Sequence, residues 1–129
     1  MSTGFGLTGK VVIITGAAGG LGREFALGFA AEGAKIVAAD VAEDGLVQTV
    51  NLVHAAGGQA IAVKVDVTDK ASTDALAEAA LKHFGAIDVL VNNAAIYATL
   101  KRAKFTEIDP NEWDRVMNVN VKGAWLVSA

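Results

Sequence analysis

Apolar residues along the chain follow two alternating rhythms. Short runs rich in β-branched residues mark strands: Lys10–Thr15 (KVVIIT), Ala34–Asp40 (AKIVAAD), Ala60–Val67 (AIAVKVDV) and Ile87–Asn93 (IDVLVNN). Such continuous hydrophobicity suits parallel strands covered on both faces. Between them lie longer stretches with helical spacing. Gly20–Gly33 places Leu21, Phe25 and Phe29 on one face and closes on a glycine, the usual residue just past a helix end. Glu43–Gly58 does likewise with Leu46, Val50 and Val53, and Asp69–Gly85 is rich in alanine and leucine with a terminal glycine. A fourth helix is predicted to open on Asp109 as N-cap with Pro110 at its first position, and to run on to Ala129.

Strict alternation of strand and helix predicts right-handed crossovers and a parallel α/β sheet with helices on both faces. No linker or low-complexity tract divides the pattern, so residues 1–129 are expected to form a single domain. A 53% hydrophobic content with 19% charged residues agrees, since it allows a sizeable core and argues against disorder. A net charge of −3 offers no electrostatic reason to expect nucleic acid or an anionic membrane as partner. The absence of cysteine excludes disulfides and thiolate-bound metals. His54 and His83 stand alone near helix ends, so no metal site is expected. The opening MSTGFGLTGK lacks a basic segment followed by an apolar one, and the expected location is cytoplasmic.

Candidate chemistry concentrates in TGAAGGLG, Thr15–Gly22, between the first strand and first helix. A diphosphate needs backbone N–H groups at the positive end of a helix, and glycines let the main chain approach it without Cβ collisions. Gly16, Gly20 and Gly22 suit that role. Asp40 ends the next strand, about 20 residues on, where a carboxylate can accept hydrogen bonds from ribose hydroxyls. It would repel a 2′-phosphate, and no arginine or lysine stands in the turn or at Val41, so NAD is favoured over NADP. GFGLTGK (Gly4–Lys10) spells most of a triphosphate-binding loop, but Val11 replaces the required hydroxyl residue and the stretch precedes a strand.

TGAAGGLG, DVT (Asp66–Thr68), NNAA (Asn92–Ala95) and NVNVKG (Asn118–Gly123) occur in the order and spacing found in the classical short-chain dehydrogenase/reductases. The chain resembles the N-terminal, cofactor-binding half of that family. The resemblance implies a Rossmann-type doubly wound sheet, strands ordered 3-2-1-4 and ending before the later strands, with NAD across the switch between strands one and four. It implies contacts from Gly16, Gly20, Leu21 and Gly22 to the pyrophosphate, and from Asp66 and Val67 to the adenine. Asn93, Ala94 and Ala95 would lie beside the nicotinamide ribose, Ala95 standing where the family commonly has glycine. The implied activity is hydride transfer between NAD(H) and an alcohol or carbonyl substrate.

Asn120 matches the asparagine of the family's Asn-Ser-Tyr-Lys tetrad, which organises a proton-relay water. The family's serine and Tyr-x-x-x-Lys pair lie beyond this helix, outside the sequence. Tyr97 and Lys101 share the spelling, but they directly follow the fourth strand and have no serine upstream, so they read as loop residues. On the last helix Trp113, Val116, Met117, Val121, Ala124 and Trp125 share a face with Asn120, whereas Asn118, Val119, Leu126 and Val127 fall off it. The helix is thus apolar nearly all round, and the fourth strand is expected to be a sheet edge. The expectation is a chain inactive alone that binds NAD and forms a homo-oligomer or associates with a C-terminal half. A non-catalytic NAD-binding module and a structural fragment are the alternatives.

Overall fold

The computed structural model describes residues 5–96 and 102–129. Four parallel strands, β1 (Val11–Thr15), β2 (Lys35–Asp40), β3 (Gln59–Lys64) and β4 (Val89–Val91), form one sheet in the order β3-β2-β1-β4. Register runs Val11 opposite Lys35 to Thr15 opposite Ala39, and Asp40 stands opposite Lys64 at the carboxyl ends. The crossover helices are α1 (Gly20–Ala31), α2 (Glu43–Ala55) and α3 (Lys70–Phe84). Asp69 caps α3 by accepting from the Ala71 N–H, and Gly85 ends it in the left-handed conformation.

Alternate residues of β1 and β2 serve opposite faces, which explains their unbroken apolar sequences. Val12, Ile14, Ile36 and Ala38 pack under α1 and α2 with Ala26, Leu46 and Val53. Val11, Ile13, Val37 and Ala39 pack against Leu76 and Ala80 of α3, with Val119 and Val127 of the C-terminal helix alongside. Both faces are therefore covered, as the doubly wound pattern requires.

Several expected boundaries and faces shift for local reasons. Leu21 and Phe25 are turned outward on α1 and its buried residues are Gly22 and Ala26, because only small side chains fit where the helix leaves the turn. β3 stops at Lys64, short of Val67: the Val65 N–H makes the last bond to β2 at the Asp40 carbonyl, and Asp66 then turns to bond Thr68. β4 is only Val89–Val91, because the Asn93 and Ala94 N–H groups turn to the Thr15 hydroxyl.

The expected fourth helix is α4 (Pro110–Met117), a π-helical segment (Asn118–Gly123) and α5 (Ala124–Ser128), opened by Asp109 accepting from the Asn111 N–H. Val119, Asn120, Gly123 and Val127 face the domain, while Trp113 and Trp125 are 53% and 65% exposed. Asn120 therefore does not share the tryptophan face, and Asn118 is exposed as expected. Gly123 permits the close approach, since a Cβ there would stand 2.6 Å from Val67 Cγ2. No helix among the described residues is long and apolar enough to cross a membrane.

Candidate functional site

Ligands of open parallel sheets lie beyond the carboxyl ends of the strands, where the strand order reverses. Here that point is the gap between β1 and β4, and the glycine turn fills one side of it. Gly16 has φ +70°, and a Cβ there would press on Asn93 Nδ2 at 2.9 Å and Ala94 Cα at 3.0 Å. A Cβ at Gly22 would collide with the Gly16 carbonyl, so the first turn of α1 reaches the sheet only as glycine. Gly20, with φ +52°, opens α1 and faces free space, as does Gly19. The result is a backbone cradle at a helix N-terminus with room in front of it. Leu21 follows on the exposed first turn, at 64% exposure.

Asp40 meets this cradle from the end of β2. Its Oδ2 accepts from the Ala18 N–H at 3.1 Å and its Oδ1 from the Ala42 N–H at 3.1 Å. On the other side, the buried Thr15 hydroxyl accepts from the Asn93 N–H at 3.1 Å and the Ala94 N–H at 3.0 Å. Asn93 Nδ2 donates to the Gly16 carbonyl at 3.3 Å. The NNAA segment is thus fastened to the glycine turn by its own backbone and one amide.

Beyond β3, Asp66 Oδ1 accepts from the Thr68 hydroxyl at 2.6 Å and the Thr68 N–H at 2.9 Å. Those two bonds, the hydroxyl first, hold the Asp66 carboxyl below the usual aspartate range. Val67 is buried beside it. Gly16, Asp40, Asp66, Val67, Ala94 and Ala95 line a single cavity of about 200 Å³ with Ile96 and Val119. Six residues singled out in the sequence therefore converge on one space. An open concavity of about 1100 Å³ lies along α4, bordered by Arg102, Trp113 and Arg115, and holds none of them.

Asn120 is joined to the same region through Ile96. Its Oδ1 accepts from the Ile96 N–H at 2.7 Å and its Nδ2 donates to the Ile96 carbonyl at 3.1 Å. One amide side chain satisfies both polar groups of a residue that lines the cavity. It sits in a π-helical segment, a helix distortion frequent at functional sites. Tyr97 and Lys101 lie outside the described residues.

Two residues of this site carry no sequence signal. Arg23 and Thr49, from α1 and α2, are bonded to each other and to the glycine turn. Only the fold brings them together. Of the histidines, His54 Nε2 lies 3.1 Å from the Ala60 carbonyl and His83 stacks edge-on against Phe84.

Residues 10–129 match the short chain dehydrogenase family. The chain belongs to that family. It is 45% identical over 117 residues to galactitol 2-dehydrogenase of Agrobacterium fabrum, covering 91% of this chain and 43% of that protein. With 5-keto-D-gluconate 5-reductase of Escherichia coli K12 it shares 41% over 124 residues, covering 96% and 48%. Among solved structures, 3-ketoacyl-(acyl-carrier-protein) reductase from Brucella melitensis, complexed with NADH, superposes with a TM-score of 0.87 at 41% identity. That match covers 95% of this chain and 48% of the other. A short chain dehydrogenase/reductase from Burkholderia phymatum in complex with NAD gives 0.89 at 43% identity, covering 95% and 43%. The chain spans about half the length of the curated relatives it matches.

Proposed function

We propose that the protein is the cofactor-binding part of an NAD(H)-dependent oxidoreductase acting on a small alcohol or carbonyl compound. The observation that carries this reading is the convergence of Gly16, Asp40, Asp66, Val67, Ala94 and Ala95 on one cavity at the carboxyl ends of the strands. Gly16, Gly20, Leu21 and Gly22 present backbone to the pyrophosphate, and the open space before Gly19 and Gly20 is the cradle it needs. Asp40 receives the ribose hydroxyls of the adenosine, Asp66 and Val67 flank the adenine, and Asn93–Ala95 lies beside the nicotinamide ribose. The bound nicotinamide supplies or accepts the hydride. NADH and NAD in the two superposed structures support the choice of dinucleotide.

Asn120 is assigned to the proton relay. By fixing both polar groups of Ile96 it holds the backbone that follows NNAA in one position. The family's serine and Tyr-x-x-x-Lys pair have no counterpart placed like them in these 129 residues. The chain alone is therefore expected to bind dinucleotide without turnover, and its outward apolar stripe of Trp113, Met117, Val121 and Trp125 to be covered in an oligomer or by further chain.

Titration with NADH and NADPH, followed by nicotinamide fluorescence, tests the assignment. NADH should bind at least about tenfold more tightly, about 1.4 kcal/mol, and Asp40→Ala should erase most of that preference. No response to NADH, or a preference untouched by Asp40→Ala, defeats it. Sedimentation of the purified chain tests self-association, which a clean monomer would exclude.

A further inference from the structure

Arg23 and Thr49 lie behind the glycine turn, away from the cavity lining, and their hydrogen bonds run in one direction. Arg23 Nε donates to the Thr49 hydroxyl at 3.0 Å, and that hydroxyl's single proton, which has the Gly45 carbonyl at 3.1 Å as a second acceptor, goes to the nearer Ala17 carbonyl at 2.7 Å. The Ala17 carbonyl belongs to the same peptide unit as the Ala18 N–H, which donates to Asp40 Oδ2 at 3.1 Å. A guanidinium thus reaches a carboxylate through one hydroxyl and one peptide, every donor pointing from cation to anion. Chains of this polarity strengthen one another, most of all where water is excluded. Thr49 is fully buried. The Arg23 Nη2 adds bonds to the Ala18 carbonyl at 2.7 Å and the Gly45 carbonyl at 3.2 Å, tying the turn to α2.

We propose that Arg23 and Thr49 are positioning residues that fix Asp40 for ribose recognition and thereby set the preference of the site for a dinucleotide with a free 2′-hydroxyl. The inference rests on the assignment of Asp40 to the ribose. It explains why a helix face otherwise apolar carries a buried threonine, and why a long cation folds back under a turn. The turn contains no cation of its own, and the carboxylate held in place repels a 2′-phosphate. If the relay is cut, Asp40 keeps its bonds to the Ala18 and Ala42 N–H groups but loses the polarised peptide behind the first, so it is held less firmly, NADH binding weakens and the penalty against NADPH shrinks.

The test compares Thr49→Val, which keeps the shape and removes the hydroxyl, with Thr49→Ser, which keeps the hydroxyl and removes a methyl. Asp40→Asn serves as control, and thermal melting is recorded for each. The NADH-to-NADPH affinity ratio should fall at least threefold in Thr49→Val and in Arg23→Met, and stay within twofold of the unaltered protein in Thr49→Ser. A purely packing role predicts the reverse order, with Thr49→Ser the more damaging, and would overturn the proposal. So would an unchanged ratio in Thr49→Val while Asp40→Asn lowers it. A ratio unmoved by Asp40→Asn would instead remove the ribose assignment beneath both. Should Arg23→Met fail to melt cooperatively, Thr49→Val and Thr49→Ser decide alone.

Discussion

The glycine-turn end of the sheet and the C-terminal helix are built to different standards. Around β1 and β2 the side chains of Val12, Ile14, Ile36 and Val37 are wholly buried, and the polar atoms of Thr15, Arg23, Asp40 and Thr49 are engaged on named partners. Along α4 and α5 no residue is fully buried, and Trp113, Met117, Val121 and Trp125 carry their apolar area outward. Buried unsatisfied polar side chains are absent among the described residues, so the contrast lies in apolar cover. The first region is finished by contacts within itself; the second has a finished inner face and an outer face suited to a partner surface.

The largest effect should come from substitutions that set the two against each other. Ile14→Ala, at the centre of the sheet, is expected to destabilise by about 2–5 kcal/mol, because it leaves a cavity that rigid neighbours cannot close. Trp125→Ala removes more atoms yet should change the stability of the isolated chain by no more than about 0.5 kcal/mol, as exposed sites usually do. Urea denaturation of both at low protein concentration measures the gap. A Trp125→Ala loss matching that of Ile14→Ala would mean the outer face is already covered.

Asn120 joins the two regions and should give the next effect. Asn120→Ala leaves the Ile96 N–H and carbonyl without their partner, a loss of about 1–3 kcal/mol for partly buried groups. Asn118→Ala, two residues away on the other side of the helix and exposed, should stay within about 0.5 kcal/mol. Thermal melts compare them directly, and equal shifts would contradict the assignment of faces. Gly123→Ala probes the same junction from packing, since its methyl would press on Val67 beside the cavity; about 1–3 kcal/mol and weaker NADH binding are expected. Fluorescence titration unchanged in Gly123→Ala would show that the helix does not brace that wall.

How far each region is legible in sequence follows from what encodes it. The strand order is legible only through the family resemblance, but the strands, their crossovers and the glycine turn are carried by local signals: unbroken valine and isoleucine runs, glycines at fixed offsets, an aspartate at a strand end. These survive because burial on both faces leaves one pattern possible. The α1 face is misjudged from spacing, since periodicity weighs Leu21 and Phe25 for size while the sheet admits only Gly22 and Ala26 beside the turn. The tryptophan stripe misleads for a similar reason: it is the most apolar face of its helix, but the one that packs is lined by Val119, Asn120 and Gly123, where small size and a paired amide allow close approach. Arg23 and Thr49 are illegible in sequence because, apart from each other and Gln48, their partners are backbone carbonyls, which leave no mark on residue type.

The smallest effect tests whether the polar order of the first region extends to its solvent edge. Asp66 lies there, with the Thr68 hydroxyl and N–H both on Oδ1, and its carboxyl is held below the ordinary aspartate value of about 3.9. A carboxyl whose folded value is depressed contributes stability that is present above its unfolded value and is lost as pH falls through the folded one. Thr68→Val removes the hydroxyl, the larger of the two causes, and keeps the backbone bond. At pH 7 the variant should therefore melt slightly lower than the unaltered chain, by an amount that solvent screening keeps small. As pH falls below the ordinary aspartate value and through the folded one, the two melting temperatures should converge, because the protonated carboxyl no longer rewards the second donor. Melting curves at half-unit pH steps, at fixed ionic strength, follow this directly. A difference that persists unchanged to the lowest pH at which the chain still folds would mean that Thr68 acts through packing beside Val67, and that the charge of Asp66 contributes nothing to this edge of the site.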